Sequence, residues 1–187
     1  GELPGPGQAV ESNTLMAAAW LGGLGARCLR LPLTPDDPEL LRERLAEAVE
    51  GNDLVIVSAG SSAGTRDYTA DTVSELGEVL VHGVAIKPGK PVIIGRIRGK
   101  PVIGLPGYPL SAVTVLRELV APLLALYGLP SDPGETVPAT LASTLASDLG
   151  VEEFVLLSLG WIRDRWVAVP QSRGAGVQMS GVRANAY

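Results

Sequence analysis

Asp53-Leu-Val-Ile-Val-Ser-Ala-Gly-Ser-Ser-Ala-Gly-Thr-Arg-Asp67 is a short unbroken apolar run that empties into a loop of glycines and hydroxyls. A run apolar on every residue, set between helices, reads as a strand covered on both faces. The helix before it is well punctuated. Asp37 fits an N-cap, Pro38 fits the first helical position, and Leu41, Leu45, Ala48 and Val49 make one apolar stripe that Gly51-Asn52 ends. After the loop, residues 69–76 read as a second helix.

Outward from this centre the pattern repeats. Residues 12–25 read as a helix closed by Gly22, Gly23 and Gly25, and residues 26–33 as a strand. Residues 78–84 are strand-like, and 91–97 and 100–105 are strands joined by the turn Arg98-Gly99. Residues 109–126 form a long apolar helix with proline at its start. Pro130, Pro133 and Gly134 mark a linker, followed by β-favouring stretches at 136–141, 154–159 and 166–169. The expected fold class is α/β: a largely parallel sheet flanked by helices over residues 1–130, then a small β domain over 135–187.

Composition narrows the function. Hydrophobic residues are 46% and aromatics only 4%, so the core must be aliphatic. A net charge of −5 without any basic run argues against nucleic acid as a partner. Cys28 is the only cysteine, so no internal disulfide forms; it reads as a buried small hydrophobe in a reducing, cytoplasmic setting. No leader opens the chain and no apolar run reads as long enough for a bilayer, so no membrane partner is expected. Both ends read as cut from a longer protein. His82, the only histidine, has no second ligand at metal spacing, so it reads as structural and zinc is not expected. No Gly-x-Ser-x-Gly elbow supports a hydrolase. Trp161 and Trp166 read as core of the β unit.

Three loops carry the candidate chemistry. In 58–67, Gly60 and Gly64 let the backbone approach a ligand, Ser61, Ser62 and Thr65 offer hydroxyls, and successive N–H groups can form an anion nest. The plainer reading is an ordinary strand-to-helix loop, with Asp67 capping the next helix instead of holding a metal. In Ala85-Ile-Lys-Pro-Gly-Lys-Pro91, Lys87 and Lys90 stand three apart between stiffening prolines, fit either to hold an anion or to sit in a solvated turn. In Gly104-Leu-Pro-Gly-Tyr-Pro-Leu-Ser111, the loop leads into a helix N-terminus and Tyr108 can stack on a flat ring; the alternative is a plain connection. All three follow predicted strands, so all can share the carboxyl edge of one sheet, where such folds bind ligands.

In order along the chain, Glu-Ser-Asn (11–13), Asp36-Asp37-Pro38, Ser-Ala-Gly-Ser-Ser-Ala-Gly-x-x-Asp-Tyr (58–68), Ile-Lys-Pro-Gly-Lys-Pro (86–91) and Leu-Pro-Gly-Tyr-Pro-x-Ser-Ala (105–112) closely resemble the MoeA/gephyrin E-domain family, the molybdopterin molybdenumtransferases. Residues 137–187, with Glu153-Phe154 and Arg183-Ala184-Asn185, are similar to the family's C-terminal β domain. The resemblance implies an enzyme that inserts molybdate into adenylated molybdopterin and releases AMP with Mg²⁺. It implies that Asp37 and Asp67 act on the metal and the phosphoanhydride, and that Lys87 and Lys90 hold phosphate or molybdate. Asn13, Gly60, Ser61, Ser62, Gly64, Pro88, Gly89, Pro106, Gly107, Tyr108 and Ser111 would line the pterin and nucleotide. It further implies a homodimer and additional fused domains in the full-length protein. This chain departs from the family pattern: Ala59 and Ser61 stand for Gly and Val, Tyr108 for Asn, and the strand bearing the family's Thr-Gly-Asp-Glu-Leu motif is absent. Two alternatives remain: a non-catalytic pterin- or molybdate-binding module, and a molybdopterin adenylyltransferase, which shares the Gly/Ser loop.

Overall fold

A computed structural model describes residues 5, 10–35, 37–58, 68–130, 134–171 and 183–187. Helix α1 spans Asn13–Gly23, and α2 spans Pro38–Gly51. Asp37 caps α2, its Oδ1 accepting the N–H groups of Glu39 and Leu40 at 3.0 and 3.2 Å. The far end of α2 is satisfied by Lys100, whose Nζ donates to the carbonyls of Val49 and Glu50 at 2.8 and 3.0 Å. Strand β1 is Val55–Ser58, α3 is Tyr68–Leu76 and β2 is Glu78–His82. Then come β3 (Ile86–Lys87), β4 (Ile93–Ile97) and β5 (Lys100–Leu105).

The main sheet has the order β1-β5-β4-β2. Only β1 and β5 run parallel; β5 with β4 and β4 with β2 are antiparallel. The expectation of a largely parallel sheet is therefore corrected to a mixed sheet. The cause is local. Arg98 and Gly99 both take positive φ (50° and 79°), a two-residue turn that folds β4 straight back onto β5. The segment 26–33, expected as a strand, joins no sheet among the described residues, and Leu29, Leu31 and Leu33 are exposed. Cys28 goes with it: it is exposed, not buried.

Side chains of β5 alternate between two cores, as a pleated strand requires. Ile103 and Leu105 pack with Ala17 and Leu21 of α1 on one face. Val102 packs with Leu45 and Val49 of α2 and Val73 of α3 on the other. Helix α3 lies so close to β4 that a Cβ on Gly95 would fall 2.4 Å from Val73 Cγ1.

The apolar segment after β5 is one continuous helix, α4, over Pro109–Leu126. Its middle, Leu116–Val120, widens into a π turn in which Ala121 N–H reaches Leu116 O. Pro122 lacks an N–H and crowds the preceding turn, which accounts for the widening. By length and composition α4 could cross a membrane, which corrects the expectation that no run was long enough. Its Ala112, Val115, Leu116, Val120 and Leu124 are buried in the same core as α1.

Past residue 134 lie β6 (Ala139–Leu141), β7 (Glu152–Glu153), β8 (Leu157–Ile162) and β9 (Arg165–Pro170). Strands β6, β9 and β8 form a three-stranded sheet, with β6 parallel and β8 antiparallel to β9. Trp161 and Trp166 oppose each other across β8 and β9, ring centroids 5.3 Å apart and edge-on. Trp161 is 59% exposed, so it does not belong to a core as expected. Asn185 acts as a substitute strand residue: its amide accepts from Leu159 N–H at 2.6 Å and donates to Leu159 O at 2.9 Å. Strand β7 leaves this unit and pairs in parallel with β3.

Candidate functional site

Register fixes where the three loops begin. Ser58 lies beside Leu105, the last residues of parallel strands, so the 58–67 and 105–109 loops leave the same sheet edge. Gly104 pairs with Ile93, and Ile93 with His82. The loop 83–92 between β2 and β4 therefore turns at that edge too. All three loops thus begin at one edge, through an antiparallel hairpin instead of a row of parallel strands.

The 83–92 loop is closed at its neck by Gly83 N–H to Val92 O at 2.8 Å and Val84 N–H to Lys90 O at 2.9 Å. Within it the Lys87–Pro88 peptide is cis, and Gly89 takes φ +120° against α4. A Cβ on Gly89 would lie 2.8 Å from Ile86 Cδ1 and 3.3 Å from Val115 Cγ2, so only glycine fits without displacement. Pro88 is half-buried and Lys90 exposed. Lys87 is not a free cation. Its Nζ lies 3.2 Å from Asp148 Oδ2 and 3.8 Å from Glu153 Oε1.

The 105–109 loop is anchored from below. Asn13, 5% exposed, donates from Nδ2 to Gly107 O at 2.9 Å and to Pro106 O at 3.4 Å. Its Oδ1 is buried with no hydrogen-bond partner among the described residues. Leaving a buried acceptor unmade is costly, and such an atom is one a ligand's donor can satisfy. Pro106 and Ser111 are buried, Gly107 is exposed, and Tyr108 stands 55% exposed at the start of α4. The start of α1 beside Asn13 is capped by Glu11, which accepts Thr14 N–H at 2.8 Å and the Thr14 hydroxyl at 2.5 Å. Burial raises the Glu11 pKa, but the Thr14 hydrogen bonds, the Arg30 charge and the Asn13 backbone N–H outweigh it, leaving the carboxyl below its usual value.

Gly60, Ser61, Ser62, Gly64 and Asp67 lie outside the described residues. Asp37 is described, and its Oδ1 is committed to the α2 cap. No group of three or more His, Cys, Asp or Glu among the described residues could hold a metal ion. The described donors thus do not by themselves make a Mg²⁺ site. A cleft of about 310 Å³ lies between the start of α2 and one side of α3, lined by Pro38, Glu39, Tyr68, Asp71, Thr72 and Glu75. Three of those six carry carboxylates, so it is a poor seat for an anion.

Sequence reasoning missed Asp148, Glu153 and Ser147 around Lys87. The segment carrying them offered no spacing signal, and Glu153 stood out only through the resemblance. It also missed that Arg117, on the π turn, lies 3.5 Å from the ring centroid of Tyr187, which in turn contacts Phe154 at 6.3 Å.

Comparison with known proteins bears on this site. The family described as "Probable molybdopterin binding domain" matches residues 2–126. A Methanocaldococcus jannaschii protein provisionally assigned to molybdopterin biosynthesis is 32% identical over 181 residues, covering 97% of this chain and 43% of that protein. Molybdopterin molybdenumtransferase 2 of Mycobacterium tuberculosis is 33% identical over 159 residues, 80% of this chain and 38% of that one. The crystal structure of a molybdopterin biosynthesis MoeA protein from Pyrococcus horikoshii superposes with a TM-score of 0.79 at 38% identity, covering 99% of this chain and 44% of that one. The chain spans less than half the length of each of these relatives.

Proposed function

Since the chain belongs to the molybdopterin-binding domain family, which serves molybdenum cofactor biosynthesis, we propose that it forms part of a molybdopterin molybdenumtransferase. In this reading it inserts molybdate into adenylated molybdopterin and AMP is released. The observation that carries the reading is the common edge: Ser58 beside Leu105, with the Lys87–Lys90 turn opening from the same side. A phosphate-bearing pterin and a tetrahedral oxyanion both need cations and N–H groups converging on one place.

Each group has a task in that scheme. Lys87 and Lys90 hold the oxyanion or the pterin phosphate. The Asn13-anchored loop 105–109 presents a flat wall with Tyr108 at its rim, and Asn13 Oδ1 accepts from a ligand N–H. Asp37 and Asp67 supply the carboxylates that act at the phosphoanhydride. A cytoplasmic homodimer with further fused domains is proposed with this reading. Replacing Lys87 and Lys90 together by Ala in the full-length protein should lower cofactor reconstitution at least about tenfold, the worth of one charge-assisted hydrogen bond. Unchanged reconstitution would sink the proposal. Binding of adenylated molybdopterin without AMP release would favour the non-catalytic module instead.

A further inference from the structure

Lys87 is held by two carboxylates of different character. Glu153 has a side chain only 6% exposed, and its second oxygen accepts the Ser147 hydroxyl at 3.0 Å. Its strand is bolted to the lysine's own: Glu152 N–H reaches Ala85 O and Phe154 N–H reaches Lys87 O, each at 2.8 Å. Asp148 is closer to the ammonium, at 3.2 Å, yet it is 72% exposed and sits in an irregular segment before β7. A buried, hydrogen-bonded carboxylate beside a cation is fixed in place. An exposed ion pair is weak, pays side-chain entropy to form, and is screened by salt.

We propose that Asp148 is a displaceable counter-ion that occupies the Lys87 ammonium until an oxyanion arrives, while Glu153 stays and positions the lysine. The inference rests on the reading of Lys87 as an anion holder. A tetrahedral dianion brings more charge to the ammonium than one carboxylate, so it replaces Asp148. It does not replace Glu153, whose side chain is only 6% exposed on a strand held to the lysine's own by backbone hydrogen bonds and whose other oxygen is engaged by Ser147. Occupancy of the site is thereby tied to the conformation of the segment preceding β7. Binding at the sheet edge releases a piece of the C-terminal β unit.

Molybdate titrated calorimetrically into the full-length protein tests this. Asp148→Asn should tighten molybdate binding about two- to fivefold at low salt, with the gain shrinking as salt is raised. Glu153→Gln should weaken it. In wild type, molybdate should speed amide exchange around residues 148–150. In a Lys87→Ala background, Asp148→Asn should change nothing. If Lys87→Ala weakens binding while Asp148→Asn leaves it unchanged, the counter-ion role is overturned and the site reading stands. If Lys87→Ala itself leaves affinity unchanged, the site reading fails and takes the counter-ion role with it. If Glu153→Gln tightens binding as much as Asp148→Asn, the division between the two carboxylates is overturned. Asp148 is on the surface, so its variant keeps the test open even if Glu153→Gln does not fold.

Discussion

The geometry around Asn13 predicts an order of stabilities for two substitutions that sequence intuition would rank the other way. Both amide hydrogens of Asn13 face carbonyl oxygens, those of Gly107 at 2.9 Å and Pro106 at 3.4 Å. The amide orientation is therefore set, since a flip would put oxygen against oxygen. Asn13→Ala loses the good hydrogen bond to Gly107 O, about 1 kcal/mol, and strands the buried Pro106 carbonyl, about 1–3 kcal/mol. It also removes the unpaired buried Oδ1, returning a similar 1–3 kcal/mol. The net loss is then about 1 kcal/mol. Asn13→Asp keeps the shape but replaces the donor by an acceptor, and places a charge where the side chain is 5% exposed. That costs about 3 kcal/mol or more while the carboxyl is ionised. The new carboxyl has its folded-state pKa raised, because only its protonated form can donate to Gly107 O. Its penalty is therefore absent below the unfolded value near about 4, grows as pH rises, and levels off above the raised folded value. Urea unfolding of the three proteins at several pH values measures it. The expected order at pH 7.5 is Asn above Ala above Asp, with the Asp variant recovering in acid. An Asp variant as stable as wild type at pH 7.5 would refute the argument, because it would mean that N–H groups, not carbonyls, face this side chain.

Two further outcomes follow from the same physics. Asp37→Ala should cost about 1 kcal/mol of stability by uncapping α2, whereas Asp37→Asn, an equally good cap, should cost less than about 0.5 kcal/mol. Thermal unfolding paired with cofactor reconstitution then separates capping from chemistry, and an Asn variant unimpaired in both assigns Asp37 to the cap alone. Glu11 has its folded pKa held below the usual 4.5. Its contribution, roughly 1 kcal/mol as a cap, is present above the unfolded value and lost as pH falls through the folded one. The stability gap between wild type and Glu11→Gln should accordingly be constant from pH 6 to 8 and close in acid; a gap that persists in acid contradicts the capping role.

What could be read from the chain divides along the range of the interactions involved. The cap at Asp37, the turn at Arg98-Gly99 and the apolar stripes of α2 and α4 are decided within a few residues, and each is present. The direction of the sheet should also have been legible. A two-residue turn between 91–97 and 100–105 already demands an antiparallel pair, and that single pair also reverses β2 relative to β4. Residues 26–33 failed for another reason. A strand exists only when another backbone answers its N–H and C=O groups, and composition cannot say whether one will. With no neighbour among the described residues, Leu29, Leu31 and Cys28 remain exposed.

The candidate site shows the same division at the level of charge. Lys87 and Lys90 were found from a local motif, but the charge that Lys87 presents depends on Asp148 and Glu153, the former 61 residues away along the chain. No pattern near the lysine encodes that pairing; it is created by β7 adding to β3. Likewise the buried Asn13 Oδ1 exists only because a loop more than ninety residues away claims the other end of the same amide. The motif therefore names the residues of an anion site, while the tertiary pairing sets how much free charge and how many open hydrogen bonds an incoming ligand meets. A variant that alters Asp148 changes that balance without touching any motif residue, so the motif and the site it implies can be tested apart.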